Sequence, residues 1–90
     1  MTLDSMQGRV VVVTGGSGGI GAYICRHFAQ AGATVVLTYR TRKQPAQQIV
    51  DTLPGAGHWA KQVAVDDSAA LNVLAAEVEA KHGRCDVLVN

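Results

Sequence analysis

Residues 10–21 read Val-Val-Val-Val-Thr-Gly-Gly-Ser-Gly-Gly-Ile-Gly, a short apolar run followed by five glycines within seven residues. Four successive valines are too β-branched to favour a helix and too few to span a bilayer, so they predict a strand buried on both faces. The apolar positions that follow keep the helical period, at Ile20, Ile24, Phe28 and Ala31. The glycines are therefore expected to join a strand to a helix.

This junction has the properties of a phosphate site. The start of a helix leaves backbone N–H groups without partners and carries a partial positive charge. Gly15 is expected to supply the turn, Gly19 the close approach of a ligand, and Gly21 the tight contact between helix and strand. Two nucleotide-binding spacings fit the same stretch, GxGxxG at Gly16, Gly18 and Gly21, and TGxxxGxG at Thr14, Gly15, Gly19 and Gly21. The alternative is a flexible glycine linker.

Composition narrows the class of protein. The 90 residues are enough for one small domain, and 48% hydrophobic against 17% charged residues indicate a folded chain. The net charge of +1 gives no general attraction to nucleic acid, and no basic run exceeds Arg42-Lys43. No apolar stretch approaches the ~20 residues of a membrane span, and residues 1–8 lack the apolar core of a signal peptide. We expect a soluble, cytoplasmic protein without a nucleic-acid or membrane partner.

The two cysteines, Cys25 and Cys85, are far apart and have no metal-ligand spacing around them. Both are expected to be buried free thiols, and neither a disulfide nor a metal site is predicted.

Strand and helix patterns alternate along the chain. The predicted strands are 10–14, 33–39, 58–65 and 86–90, and the predicted helices are 19–30, a segment from about Pro45 to Pro54, and 69–82. The alternation predicts an α/β fold with strand order 3-2-1-4, the first half of a Rossmann-type doubly wound parallel sheet with helices on both faces.

Several residues are expected to set the element boundaries. Gly32 and Gly83 are predicted to end the first and third helices, and Ser68 is predicted to be the N-cap of the third. Trp59, in an outer strand, is equally suited to packing and to binding. The buried face of the third helix is predicted to carry Leu71, Leu74, Ala75 and Val78.

With these residues in place, all ninety residues resemble the classical short-chain dehydrogenase/reductase family. The motifs that carry the resemblance are Thr14-Gly15-x-x-x-Gly19-Ile20-Gly21, the acidic Asp66 after the third strand, and residues 86–90, which look like the opening of the family's Asn-Asn-Ala-Gly segment. The amino-acid sequence of the glycine loop is similar to that of 3-oxoacyl and acetoacetyl-thioester reductases.

The resemblance implies a dinucleotide cofactor held by the glycine loop, with Ser17 as a hydrogen-bond donor to it. Asp66 would accept from the adenine amino group, the backbone N–H of Asp67 would face the ring, and Asn90 would lie beside the adenosine ribose. The family usually has an apolar residue in place of Asp67, so a solvated acid ahead of the helix is the alternative there.

The end of the second strand bears on the choice between NAD and NADP. NAD-dependent relatives have an acid ~20 residues past the loop, which holds the ribose 2′-hydroxyl. Here residues 39–43 read Tyr-Arg-Thr-Arg-Lys, and no acid occurs between Asp4 and Asp51. Arg40 suits a forked pair with a 2′-phosphate, and Thr41 adds a hydroxyl, so NADP(H) is favoured over NAD. The alternative is a solvated basic turn.

The resulting set of predicted cofactor-binding residues is Gly15, Ser17, Gly18, Gly19, Ile20, Gly21, Tyr39, Arg40, Thr41, Asp66, Asp67 and Asn90.

The resemblance also implies a catalytic Tyr-x-x-x-Lys pair, which we do not assign within the ninety residues. Tyr39 and Lys43 match the spacing but lie on the adenosine side of the cofactor, and Tyr23 is followed at that spacing by His27. Because residues 87–89 would form an uncovered apolar edge strand, we expect the chain to be the N-terminal part of an enzyme of about 240 to 260 residues.

Two functions are carried forward. The first is an NADPH-dependent reductase of a small-molecule ketone or 3-oxoacyl thioester, working as a homo-oligomer. The second is a non-catalytic nucleotide-binding or regulatory module made of half a Rossmann fold.

Overall fold

The computed structural model describes residues 6–15, 19–64 and 66–89. Strands and helices alternate in the predicted order. The strands are β1 (Val10–Val13), β2 (Thr34–Tyr39), β3 (Trp59–Gln62) and β4 (Val87–Val89), and the helices are α1 (Gly19–Gln30), α2 (Lys43–Thr52) and α3 (Ser68–His82).

The strands form one parallel sheet in the order β3-β2-β1-β4, which confirms the predicted topology. Val13, the last residue of β1, is opposite Leu37 of β2 and Val89 of β4. Since all four strands run the same way, the segments that follow them emerge at one edge of the sheet, where ligands bind in open α/β folds.

The valine run of β1 is buried on both sides because successive side chains of a strand point to opposite faces. Val11 and Val13 pack with Cys25 of α1 and Val50 of α2 on one face of the sheet. The opposite face has its own cluster under α3, formed by Val10, Val12, Val36, Val63, Leu74 and Val78. Helices therefore cover both faces, as expected for a doubly wound fold.

The ends of the helices match the prediction at the glycines. Gly32 follows α1 with φ of 100°, and Gly83 caps α3 with φ of 75°, a conformation that favours glycine. α2 begins at Lys43, so Pro45 lies inside its first turn and not at its start.

The predicted N-cap of α3 was wrong. The cap is Asp67, whose Oδ1 accepts from the backbone N–H groups of Ala69 at 3.0 Å and Ala70 at 3.1 Å. Ser68 is the first residue of the helix itself. Asp and Ser are equally good caps, and here the extended backbone of Asp67 is the one that aims its side chain at the helix.

The two cysteines differ. Cys25 is a buried free thiol, as predicted, and its burial raises the pKa of the thiol to about 11. The prediction that Cys85 is buried was wrong, because it lies in the exposed connection between α3 and β4.

One face of α3 is only partly covered. Ala75 is exposed, contrary to the prediction, while Leu74 and Val78 are buried. An apolar groove of about 540 Å³ runs between α3 and β4, with Ala75 and Leu88 in its lining. Its other lining residues include Leu71, near the start of α3, and Gly83 and Cys85 in the connection to β4.

Candidate functional site

The carboxyl edge of the sheet brings together the segments that follow β1, β2 and β3. Thr14 and Gly15 follow β1, Arg40 and Thr41 follow β2, and Asp66 and Asp67 follow β3. The predicted residues that the structure describes at this edge therefore come from three separate parts of the chain. Ser17, Gly18 and Asn90, like Gly16 of the GxGxxG match, lie outside the described residues.

The glycine loop leaves β1 through a fixed turn. Gly15 has φ of 66°, which confirms the predicted turn residue, because side chains are strained in this conformation. The preceding Thr14 donates both its backbone N–H, at 2.8 Å, and its hydroxyl, at 3.1 Å, to the carbonyl oxygen of Val89. The N–H of Gly15 donates to the hydroxyl oxygen of Thr38 at 3.3 Å.

The start of α1 is open to a ligand. A Cβ placed on Gly19 would meet nothing within 4 Å, and the neighbouring Ile20 is 81% exposed. Gly21 lies in the same first turn, which contains no acidic side chain. An anion at this end of the 12-residue helix would meet the positive end of the helix dipole and no opposing carboxylate from the first turn.

A cation and a carboxylate face each other across the ends of β2 and β3. The guanidinium of Arg40 lies 4.0 Å from the carboxylate of Asp66, and the two side chains are 70% and 73% exposed. The carbonyl oxygen of Arg40 accepts from the side-chain amide of Gln62 at 2.8 Å, which ties this turn to β3. Thr41 is exposed beside Arg40. Arg40 and Asp66 thus lie close together, and most of each side chain stays accessible.

Asp67 has a different environment from the one the resemblance implies. Its N–H, predicted to face an adenine ring, donates to the carbonyl oxygen of Ala64 at 2.9 Å. Its side chain caps α3, which accounts for an acid at this position without a ligand contact. Its place in the cofactor site stays a prediction.

Tyr39 lies mostly in the core. The residue is 8% exposed and belongs to the cluster that α1 and α2 cover, so little of its side chain is left to contact a cofactor. The burial of Tyr39 also argues against a catalytic role for it, in agreement with the decision not to assign Tyr39 and Lys43 as the catalytic pair.

Thr38 was not among the residues predicted for the site. It is the one polar residue among the buried side chains that the structure describes. The signal in the sequence was a hydroxyl residue inside the apolar run of β2, because a buried hydroxyl needs a hydrogen-bond partner.

Neither a metal cluster nor a membrane-spanning helix occurs in the described part of the chain. Residues 6–15, 19–64 and 66–89 contain no cluster of three or more histidine, cysteine or acidic side chains able to hold a metal. Within the same residues, each helix is too short or too polar to cross a membrane.

The chain matches known proteins over nearly its whole length. Residues 9–90 match the family model for short chain dehydrogenases. A short chain dehydrogenase of Pseudocercospora fijiensis is 41% identical over 87 residues, which are 94% of this chain and 28% of the relative.

Solved structures give the same result. A short chain dehydrogenase of Burkholderia cenocepacia in complex with NADP superposes with a TM-score of 0.89 at 36% identity, over 96% of this chain and 36% of that one. A metagenomic short-chain oxidoreductase in complex with NADP superposes with a TM-score of 0.76 at 41% identity, over 93% of this chain and 38% of that one. The chain thus spans about a third of the length of the proteins it matches. With the parallel sheet and the glycine turn already described, these matches show that the chain belongs to the short-chain dehydrogenase family of oxidoreductases.

Proposed function

We propose that this chain forms the adenosine- and pyrophosphate-binding part of an NADPH-dependent reductase of small carbonyl compounds. The observation that carries the proposal is the accessible Arg40 at the end of β2, where a cofactor with a 2′-phosphate would meet it. A guanidinium forms forked, charge-assisted hydrogen bonds with phosphate, and a bare ribose hydroxyl offers no such partner.

The residues present fit a dinucleotide. The start of α1 offers N–H groups and open space over Gly19, and the turn at Gly15 sets where the loop leaves the sheet. Asp66 lies beside Arg40 at the ends of β2 and β3, so an adenine bound there would meet an acceptor for its amino group. Two structural neighbours that contain NADP support the same cofactor.

The bound cofactor would supply the hydride, and the described residues would hold and orient it. The substrate class that we propose is a ketone. The first candidates are 3-oxoacyl thioesters, because the sequence of the glycine loop is similar to that of 3-oxoacyl-thioester reductases.

The test is an activity assay on the intact protein that carries this chain. We expect acetoacetyl-coenzyme A or a simpler ketone to oxidise NADPH at a rate well above that with NADH. NADPH binding without turnover of any carbonyl would favour the non-catalytic binding module. A clear preference for NADH would contradict the assignment of the cofactor.

A further inference from the structure

We propose that Thr38 is a positioning residue for the cofactor, because its buried hydroxyl anchors the first turn of the glycine loop. The inference rests on the proposed function, since it concerns how the loop is held in place to receive the pyrophosphate. Thr38 itself would not touch the cofactor.

The side chain of Thr38 is buried in an apolar strand. The residue is 1% exposed inside β2, where its neighbours Leu37 and Val36 are fully buried. A buried hydroxyl without a partner is costly, so its retention in an apolar strand calls for a specific contact. The N–H of Gly15 is such a contact, at 3.3 Å.

The turn at Gly15 begins between two strands of the sheet. Thr14 still follows the sheet, because its N–H reaches the carbonyl oxygen of Val89 on β4. At Gly15 the chain turns with φ of 66°, and the next N–H is taken by the side chain of Thr38 on β2. The root of the loop is therefore held on both sides, by β4 through Thr14 and by β2 through Gly15.

This arrangement predicts a particular pattern of binding. The pyrophosphate is common to NADPH and NADH, so a loss of the Thr38 anchor should weaken both cofactors by the same factor. Arg40 would act only where the 2′-phosphate is present. An equal loss of affinity for NADPH and NADH would therefore distinguish the role of Thr38 from that of Arg40.

The experiment compares Thr38→Val, which removes the hydroxyl at nearly constant volume, with Thr38→Ser, which keeps it. Thr34→Val is the matched control, because Thr34 is at the other end of the same strand. In the intact protein, we expect Thr38→Val to raise the Kd of NADPH and of NADH by about three- to tenfold each. Thr38→Ser and Thr34→Val should bind both cofactors within about twofold of the wild type.

A second measurement needs no cofactor. Hydrogen exchange at the backbone amide of Gly15 should be slow in the wild type and in Thr38→Ser, and at least about tenfold faster in Thr38→Val. If Thr38→Val does not fold, hydrogen exchange at Gly15 in the wild type still tests the contact. Fast, unprotected exchange of this amide would show that Thr38 does not anchor it.

Three binding results would overturn the proposal. They are unchanged affinities in Thr38→Val, a loss confined to NADPH, and a loss in Thr38→Ser as large as in Thr38→Val, which would assign the effect to packing of the methyl group. A wild-type protein that binds neither cofactor would contradict the proposed function, and Gly15 exchange would then still test the contact itself.

Discussion

The carboxylate of Asp86 joins the start of β4 to the start of β1, with its Oδ2 accepting from the N–H of Val10 at 2.8 Å. Its Oδ1 accepts from Nε and Nη2 of Arg84 at 3.0 and 2.6 Å, and Arg9 lies 3.6 Å away. The side chain is only 11% exposed. This contact holds β4 against β1 at the edge of the sheet opposite the glycine loop.

Asp86 is expected to make the free energy of unfolding depend on pH, with a loss of stability at acidic pH. The hydrogen bond from Arg84, with that from the N–H of Val10, lowers the pKa of the carboxyl below its ordinary value. The carboxylate therefore stabilises the fold fully above the unfolded-state pKa of about 3.9, and this contribution is lost as the pH falls through the lowered folded-state pKa.

Urea denaturation of wild type and Asp86→Asn across pH 7 to 2.5 measures this effect. At neutral pH the unfolding free energy of the wild type should exceed that of Asp86→Asn by a constant amount. This difference should become smaller below about pH 4. Asp51→Asn is the control, because Asp51 is exposed and accepts a hydrogen bond from the side-chain amide of Gln47 on its own helix. A margin that does not change with pH would contradict the role of the charge.

Asp67 provides a test of the helix cap. Asp67→Ala should lower the free energy of unfolding by about 1 kcal/mol, because two backbone N–H groups at the start of α3 lose their acceptor. Ser68→Ala is the matched variant and should change it by less than about 0.5 kcal/mol. Equal losses in the two variants, measured by urea denaturation, would return the cap to Ser68.

His58 bridges the start of β2 to the α2–β3 connection. Its Nδ1 accepts from the N–H of Val35 at 2.9 Å, and its Nε2 lies 2.7 Å from the carbonyl oxygen of Pro54, to which it donates as the neutral tautomer. His58→Ala should cost about 1 to 3 kcal/mol of unfolding free energy, because it leaves the N–H of Val35 without this acceptor. His27→Ala, on the exposed side of α1, is the control and should cost about 0.5 kcal/mol of unfolding free energy or less. A similar loss of unfolding free energy in the two variants, measured by urea denaturation, would contradict a stabilising role for the His58 hydrogen bonds.

The two thiols should differ in reactivity. Since only the thiolate reacts, a rise of the Cys25 pKa from about 9 to about 11 lowers its reactive fraction about 100-fold, and burial blocks the reagent as well. Iodoacetamide at pH 8 should therefore label Cys85 in the folded protein and Cys25 only after denaturation. Peptide mass spectrometry reads the site, Cys85→Ser is the control, and rapid labelling of Cys25 in the folded state would contradict its burial.

The fold was predictable because its signals are local and consistent. The valine run, the glycines at 15, 32 and 83, and the helical periods set the order of the elements, and the bounds of α1 agree residue for residue. The strand order 3-2-1-4 is the one expected for the first half of a dinucleotide-binding fold with right-handed crossovers.

The errors were at positions where tertiary geometry decides between equal local options. Asp67 and Ser68 are both good caps, and only the backbone conformation selects one. Cys85 is exposed in the short connection between Gly83 and β4, and no neighbouring residue in the sequence signals this exposure. Thr38 was missed because its partner, Gly15, is 23 residues away in the chain.

The measurement that tests the central claim most directly is the Kd of NADPH and of NADH for the intact protein and its Arg40→Asp variant. Charge reversal removes the pair with the 2′-phosphate and adds repulsion, so the Kd of NADPH should rise by about 100-fold or more while that of NADH changes by less than about threefold. Arg26→Asp, an equal charge change on the exposed side of α1, should leave both values nearly unchanged. An equal loss for the two cofactors, or no loss for NADPH, would contradict the account.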